Sequence, residues 1–307
     1  MKKILTIVGP TAVGKTKLSI ELAKQLNGEI ISGDAMQIYR GMNIGTAKIM
    51  PTEMEGIVHH LLDEKNPDES YSVAEFQKTV RAKIDDITDR GKLPIIVGGT
   101  GLYVKAVLYD YEFTDEEVPR GEQYEDLSNE EVHAKLVAID PVSAEALHPN
   151  NRRRVVRALN IYQETNVTKS EIIEKQEKAL MYDVTLIGLT DDRAKLYERI
   201  NERVDHMVVG GLVEEVRHLH TSGISRNAQS IQAIGYKELY DYLDGATDLE
   251  TAVEQVKRNS RRLAKRQYTW FRNQMDVTWF DVDVVNFDET VSEVLEWVKI
   301  TVNGLID

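Results

Sequence analysis

Lys3-Ile4-Leu5-Thr6-Ile7-Val8-Gly9-Pro10-Thr11-Ala12-Val13-Gly14-Lys15-Thr16 decides the architecture of this chain. The stretch from Lys3 to Val8 reads as a strand buried on both faces of a parallel sheet. Residues 9–16 fit the pattern G-x-x-x-x-G-K-[ST]. Leu18, Leu22 and Leu26 then recur every four residues, as on one side of a helix. A glycine-rich turn between strand and helix points backbone N–H groups at an anion, and the helix start adds a positive partial charge. The expectation is a bound diphosphate or triphosphate. It would be held by Gly9, Pro10, Thr11, Ala12, Val13, Gly14, Lys15 and Thr16, with the N–H groups from Ala12 to Thr16 cradling the phosphates. Lys15 would neutralise an outer phosphoryl oxygen, and the Thr16 hydroxyl would sit on Mg²⁺.

Working outward, Glu29-Ile30-Ile31-Ser32 reads as a second strand, and Val73, Phe76, Val80, Ile84 and Ile87 mark a helix. Leu93-Pro94-Ile95-Ile96-Val97 is a third buried strand, closed by Gly98-Gly99-Thr100-Gly101. Strands separated by helices imply a parallel sheet with right-handed crossovers. Residues 36–69 show little periodicity and read as loop and short helix. Beyond residue 110 acidic residues and turn formers dominate, followed by helical patterns over 130–138, 143–147, 150–164 and 168–178. The expected organisation is an α/β core over 1–112 and 182–307, interrupted by a helical insertion over 113–181 with hinges near Phe113 and Tyr182. Val184 to Leu189 returns to the sheet. Leu196, Ile200, Val204 and Met207 share a helix face, Leu212 begins another helix, and Val291 to Val302 forms an amphipathic tail.

With 307 residues the chain has room for such a core and insertion. It contains no cysteine, which excludes disulfides, thiolate metal sites and cysteine nucleophiles and agrees with a cytoplasmic protein. No apolar run approaches the length of a membrane span. The seven histidines have no spacing suited to a transition metal. The net charge of −13 argues against general polyanion binding. Two basic stretches run against that average: residues 257–272 carry seven positive and no negative charges, and Arg152, Arg153, Arg154 and Arg157 lie together. On a helix, Lys257, Arg261 and Lys265 form one row, and Arg258, Arg262 and Arg266 the next. A merely solvated face usually mixes signs through i,i+4 pairs. With Tyr268, Trp270 and Phe271 alongside, the run reads as a track for nucleic-acid phosphates.

Hydrolases and motors with this loop usually place a metal-holding aspartate at the end of a buried strand. Strand 93–97 ends in Val-Gly-Gly-Thr-Gly instead, which favours a transferase that holds a leaving diphosphate. Asp34 follows the second strand at the sheet edge where ligands bind, and reads as a general base or metal-shell ligand. Gln37 and Tyr39 nearby are candidates for reading or stacking on a base, or simply for packing. Thr100 presents a hydroxyl where glycines let the backbone approach a ligand.

Taken together, the chain resembles the tRNA dimethylallyltransferases, or tRNA isopentenyltransferases, along nearly its whole length. The resemblance rests on Gly9–Thr16, Ser32-Gly33-Asp34-Ala35-Met36-Gln37-Ile38-Tyr39, Gly45-Thr46-Ala47-Lys48, His59-His60-Leu61, Tyr71–Phe76 and Gly98–Tyr103. It continues through Arg154–Leu159, Gln232-Ala233-Ile234-Gly235-Tyr236-Lys237-Glu238 and Ala264–Arg272. It implies transfer of a dimethylallyl group from dimethylallyl diphosphate to N6 of adenosine 37 in the anticodon stem-loop of tRNA. Asp34 matches the family's general base and Thr100 its catalytic threonine. Asp34, Ala35, Met36 and Gln37 match tRNA-contacting positions. So do Arg152, Arg153, Arg154 and Arg157; Gln232, Ala233, Gly235, Tyr236 and Lys237; and Lys257, Arg261, Arg262, Lys265 and Arg266. The implied cofactor is Mg²⁺, with Thr16 its protein ligand, and the expected form is a monomer. Ala35 stands where the family usually has serine, Ile49 replaces a proline, and the segment 113–130, with Arg120, is short. An adenylate isopentenyltransferase acting on free AMP, ADP or ATP would share the loop and Asp34 without needing the basic helix. A small-molecule kinase and a nucleotide-switched RNA-binding module are the other rivals.

Overall fold

A computed structural model describes residues 1–111, 124–175 and 179–301. Its centre is a sheet of six parallel strands. Strand β1 (Lys3–Val8) leads through the glycine loop into helix α1 (Lys15–Gln25), followed by β2 (Gly28–Ser32) and the two-residue edge strand β3 (His59–His60). Helix α2 (Val73–Asp89), β4 (Leu93–Gly98) and α3 (Gly101–Leu108) complete the first half. The Ser72 hydroxyl starts α2 by accepting from the Glu75 N–H, and Phe76, Val80, Ile84 and Ile87 bury one face of that helix.

Helices α4 (Asn129–Ile139), α5 (Pro141–Ala146), α6 (Arg152–Thr165) and α7 (Lys169–Lys175) belong to a second compact unit, Tyr109–Ala179. That unit has a core of its own, built on Tyr124, Val132, Leu136, Leu147, Val155 and Leu159. Ser128 and Glu131 close a reciprocal cap on α4. The first unit comprises Met1–Leu108 and Leu180–Asp307. The insertion boundary expected near Phe113, and Arg120, lie outside the described residues.

The chain returns through β5 (Asp183–Thr190), α8 (Arg193–Val209), α9 (Leu212–Thr221), α10 (Tyr236–Leu243), the long α11 (Leu249–Gln274), β6 (Thr278–Asp281) and α12 (Phe287–Thr301). Strand order is β3-β2-β4-β1-β5-β6, every neighbouring pair parallel. Parallel strands of this kind are buried on both faces, and Ile7, Ile31, Ile95, Ile96 and Ile187 are fully buried. Because β2, β4 and β1 are adjacent, the loops leaving their carboxyl ends meet at one edge of the sheet. Those three loops carry Asp34, Thr100 and the phosphate loop. Among the described residues no helix is long and apolar enough to cross a membrane.

At the opposite end of β2, Glu29 is almost fully buried and accepts from Arg90 (2.5 and 2.7 Å), Lys92 (2.8 Å) and His60 (2.7 Å). The Arg90 guanidinium, above all, holds its carboxyl far below the ordinary carboxylate range. Far from the loops, this cluster fastens β2 to β3 and to the end of α2.

Candidate active site

The phosphate loop takes its shape from three residues with positive φ, Gly9 (φ 144°), Ala12 (φ 63°) and Gly14 (φ 106°). Gly14 occupies the N-cap position of α1, and a Cβ there would lie 2.7 Å from the Phe287 ring, so both backbone and packing demand glycine. No side chain caps α1, which leaves its first N–H groups free for an anion. The Lys15 ammonium bends back onto its own loop, donating to the carbonyls of Gly9 (3.0 Å) and Pro10 (2.7 Å).

This loop lines a cavity of about 300 Å³ with Ser32, Asp34, Gln37, Thr46, Gly99, Arg203 and Gln267. Burial pulls the Lys15 ammonium down to about 7, the nearby Arg203 guanidinium adds to the fall, and the Asp34 carboxylate opposes it. Burial likewise lowers Arg203, again against the charge of Asp34. Two cations enclosed in one concave pocket, with a single carboxylate near them, form a place prepared for an anion of several charges.

A second cavity, of about 570 Å³, adjoins the first. Its walls are more apolar, with Ile200, Val204, Met207, Leu212, Leu263 and Trp270, and Thr100 opens into it. Thr11, Asp34, Thr46, Gly99, Arg203 and Gln267 line both cavities, so Asp34 stands at their junction.

Local structure explains how Asp34 and Thr100 arrive together. The Gly33 N–H donates to the Val97 carbonyl (2.7 Å), and a Cβ on Gly98 would lie 2.5 Å from the Gly33 backbone. Only bare backbones fit this crossing. One Asp34 oxygen accepts from the Met36 N–H (2.8 Å), which closes a turn and aims the carboxylate. The Thr100 hydroxyl is 3.4 Å from the Ala35 N–H.

Of the residues matched to tRNA contacts, Ala35, Met36, Gln232, Ala233, Gly235, Lys237 and Arg266 line the larger cavity. Others face elsewhere. Gln37 uses its amide inside the loop, accepting from Ser32 (2.9 Å) and donating toward Thr46 (3.3 Å). Tyr39 is wholly buried, so its role is packing rather than base stacking. Tyr236 is also buried and donates to Glu215 (2.6 Å). The same Glu215 carboxylate accepts from the N–H groups of Asn43, Ile44 and Gly45, fixing the loop that carries Thr46.

On α11, Lys257 pairs with Asp205 of α8 (2.7 Å) and with Glu254 (3.2 Å), and Arg261 bonds Asn201. The helix therefore shows mixed signs on the side facing α8, where an unbroken positive row was expected. Arg258, Arg262, Lys265 and Arg266 remain exposed. In the second unit, Arg152 braces the fold by bonding Asn129 and the Tyr124 carbonyl, while Arg153, Arg154 and Arg157 are exposed. Lys169 joins them; burial and the charges of Arg154 and Arg157 press its ammonium below its ordinary range.

Arg203, Gln267 and Glu215 were not singled out by sequence reasoning. Arg203 had a signal: it interrupts the apolar stripe Leu196, Ile200, Val204, Met207 on α8. A charged residue there must point into the fold, and here it meets the phosphate loop, 3.4 Å from the Thr11 hydroxyl.

A parallel α/β sheet with a glycine loop at the start of α1, a cationic chamber and an adjoining apolar one defines a phosphate-loop protein built to join two ligands. The model of the IPP transferase family matches residues 37–274. The chain is 61% identical over 304 residues to a tRNA dimethylallyltransferase of Bacillus cereus, covering 97% of this chain and 95% of the relative. It is 58% identical over 303 residues to the tRNA dimethylallyltransferase of Anoxybacillus flavithermus, covering 97% and 96%. A crystal structure of the full-length tRNA isopentenylpyrophosphate transferase from Bacillus halodurans is similar with a TM-score of 0.76 and 50% identity, covering 99% and 98% of the two chains. A eukaryotic dimethylallyltransferase acting on tRNA is similar with a TM-score of 0.84 and 32% identity, covering 98% of this chain and 79% of that one. The chain belongs to the IPP transferase family.

Proposed function

We propose that this protein transfers the dimethylallyl group of dimethylallyl diphosphate to N6 of adenosine 37 in the anticodon stem-loop of tRNA, releasing diphosphate. The observation that carries the reading is the pair of joined cavities with Asp34 at their junction. The curated relatives act on tRNA by name, and the solved eukaryotic relative acts on tRNA.

In this reading the diphosphate lies in the smaller cavity against the α1 N–H groups, Lys15 and Arg203. The adenine enters the larger cavity, having left its stack as bases modified inside a pocket must. The exocyclic amine is a weak nucleophile because its lone pair is delocalised into the ring. As the bond between the allylic carbon and the diphosphate oxygen breaks, the electron pair leaves with the diphosphate. The N6 lone pair forms the new bond to carbon, and the N6 proton passes to the Asp34 carboxylate. Thr100 presents its hydroxyl beside the same crossing. Lys15, Arg203 and the loop N–H groups face the charge that grows on the leaving group, where stabilisation of the transition state counts most.

The residues fit Mg²⁺ carried mainly by the diphosphate. The Thr16 hydroxyl lines the anion cavity and makes no hydrogen bond among the described residues, and these contain no cluster of three metal-ligating side chains. A cation that keeps several waters needs few protein ligands. Bound beside Thr16, Mg²⁺ would add positive charge next to the departing diphosphate. We take the working unit to be a monomer and place it in the cytoplasm.

Incubation with labelled dimethylallyl diphosphate and either unmodified tRNA or AMP tests the proposal. Label in tRNA, on an adenine, is the expected result. Label in AMP alone, or phosphoryl transfer from ATP, would overturn it.

A further inference from the structure

One side chain reaches both loops that hold the reacting groups. Gln267, on α11, accepts through Oε1 from the Thr11 N–H of the phosphate loop at 2.9 Å. Through Nε2 it donates to the Gly99 carbonyl, next to Thr100, at 3.1 Å. The partners fix the orientation of the amide, because a backbone N–H can only donate and a carbonyl can only accept. Gln267 also lines both cavities. Around it α11 is anchored to the same sheet edge: Trp270 packs where a Cβ on Gly101 would lie 2.0 Å from its ring, and Tyr268 bonds Thr190 at the end of β5 (3.1 Å). Lys265 and Arg266, the residues just before Gln267, are exposed cations.

We propose that Gln267 is a positioning residue for the transfer. Its amide sets the spacing between the phosphate loop and the Thr100 loop, and thereby ties the helix carrying the basic residues to the reacting groups. Glutamine suits the task because it supplies one acceptor and one donor at full reach. Glutamate keeps the acceptor for Thr11 and loses the donor for Gly99. Asparagine is one methylene short. Methionine keeps the length and loses both bonds. Since neither bond is made to a substrate, the effect of substitution falls on the rate at saturation rather than on the affinity of either ligand. A misplacement of about 1 Å between reacting groups costs on the order of 10²-fold in rate.

The inference rests on the transfer reading above, and one experiment separates the two. Wild type, Gln267→Met, Gln267→Glu and Gln267→Asn are compared in single-turnover transfer at saturating dimethylallyl diphosphate and tRNA. Inorganic diphosphate binding, tRNA binding and hydrogen exchange at the Thr11 amide are measured on the same proteins. Inactive wild type counts against the transfer reading; active wild type leaves the comparison of variants to decide on Gln267. The expected result for Gln267→Met is a fall in rate of about 10–100-fold, faster exchange at Thr11, and both affinities within about threefold of wild type. Gln267→Glu should fall between the two and keep Thr11 protected. A saturated rate for Gln267→Met within twofold of wild type would overturn the proposal. So would a loss explained by weaker diphosphate binding alone.

Discussion

Lys15 shares one pocket with Arg203, and its burial there, reinforced by that second cation, has a measurable signature. With Lys15 drawn down to about 7, its proton is lost in the folded protein well before it would be in the unfolded chain. The charged form is the disfavoured one. Its cost to stability is full below about pH 7 and is relieved as pH rises toward the ordinary lysine value, since the unfolded chain then binds more protons than the native one. An incoming diphosphate reverses this and restores the proton. At pH 8 its binding should take up close to one proton, read by calorimetry in buffers of different ionisation enthalpy. The uptake should vanish in Lys15→Met; equal heats in all buffers for wild type would contradict the pocket's electrostatics. Asp34 makes a different kind of prediction. Asp34→Asn keeps the size of the side chain and its bond to the Met36 N–H while removing the base. Single-turnover transfer should fall by roughly 10²–10⁴, the scale of a positioned base, with diphosphate affinity changed little. Near-normal transfer would leave Asp34 a turn residue.

At the level of elements, α11 has two sides with separate tasks. Lys257 and Arg261 are occupied by Asp205 and Asn201 of α8, so they hold helices together. Arg258, Arg262 and Lys265 are exposed and lie one turn apart. Replacing these three by alanine should lower the slope of log affinity for tRNA against log salt by about one unit per lost phosphate contact. Diphosphate binding should stay as in wild type. An unchanged slope in a filter-binding titration would mark these charges as merely solvated. The basic run was plain in the sequence; its division was not, because the partners sit on α8. The same distinction holds for the fold. Lys3–Val8, the helix from Val73 and the strand from Leu93 were legible because long buried strands and amphipathic helices carry their own period. The Thr278–Asp281 strand and helix Tyr236–Leu243 went unread, being short segments specified by their neighbours. In the site, Asp34, Thr100 and the phosphate loop were visible as local motifs. Glu215 and Gln267 act through partners far along the chain, and no local pattern announces such bonds; Arg203 left only its break in the apolar stripe of α8. Tyr236 shows the converse: a residue quoted within a recognisable motif proves to be core, held by Glu215.

For the molecule as a whole, the chain leaves the α/β unit and returns to it at neighbouring points. The Met181 N–H donates to the Leu108 carbonyl (2.9 Å), and the Asp110 N–H to the Ala179 carbonyl (3.0 Å). Replacing residues 109–179 by a short Gly/Ser linker should therefore leave the sheet intact. Such a protein should keep diphosphate affinity and a cooperative thermal transition while transfer to tRNA falls sharply. Loss of diphosphate binding would show that the sheet depends on the excised residues. The order in which this chain is made adds one more consequence. Strand β1 pairs with β5, Lys3 opposite Asp183, and Thr11 waits for Gln267. At usual rates of synthesis, roughly 10–50 s separate the emergence of those last two residues from the ribosome. A nascent chain thus shows its phosphate loop long before the clamp on that loop exists. Chains that stop before residue 267 carry the anion-binding motif without the glutamine that aligns it, and the full rate of transfer waits for α11.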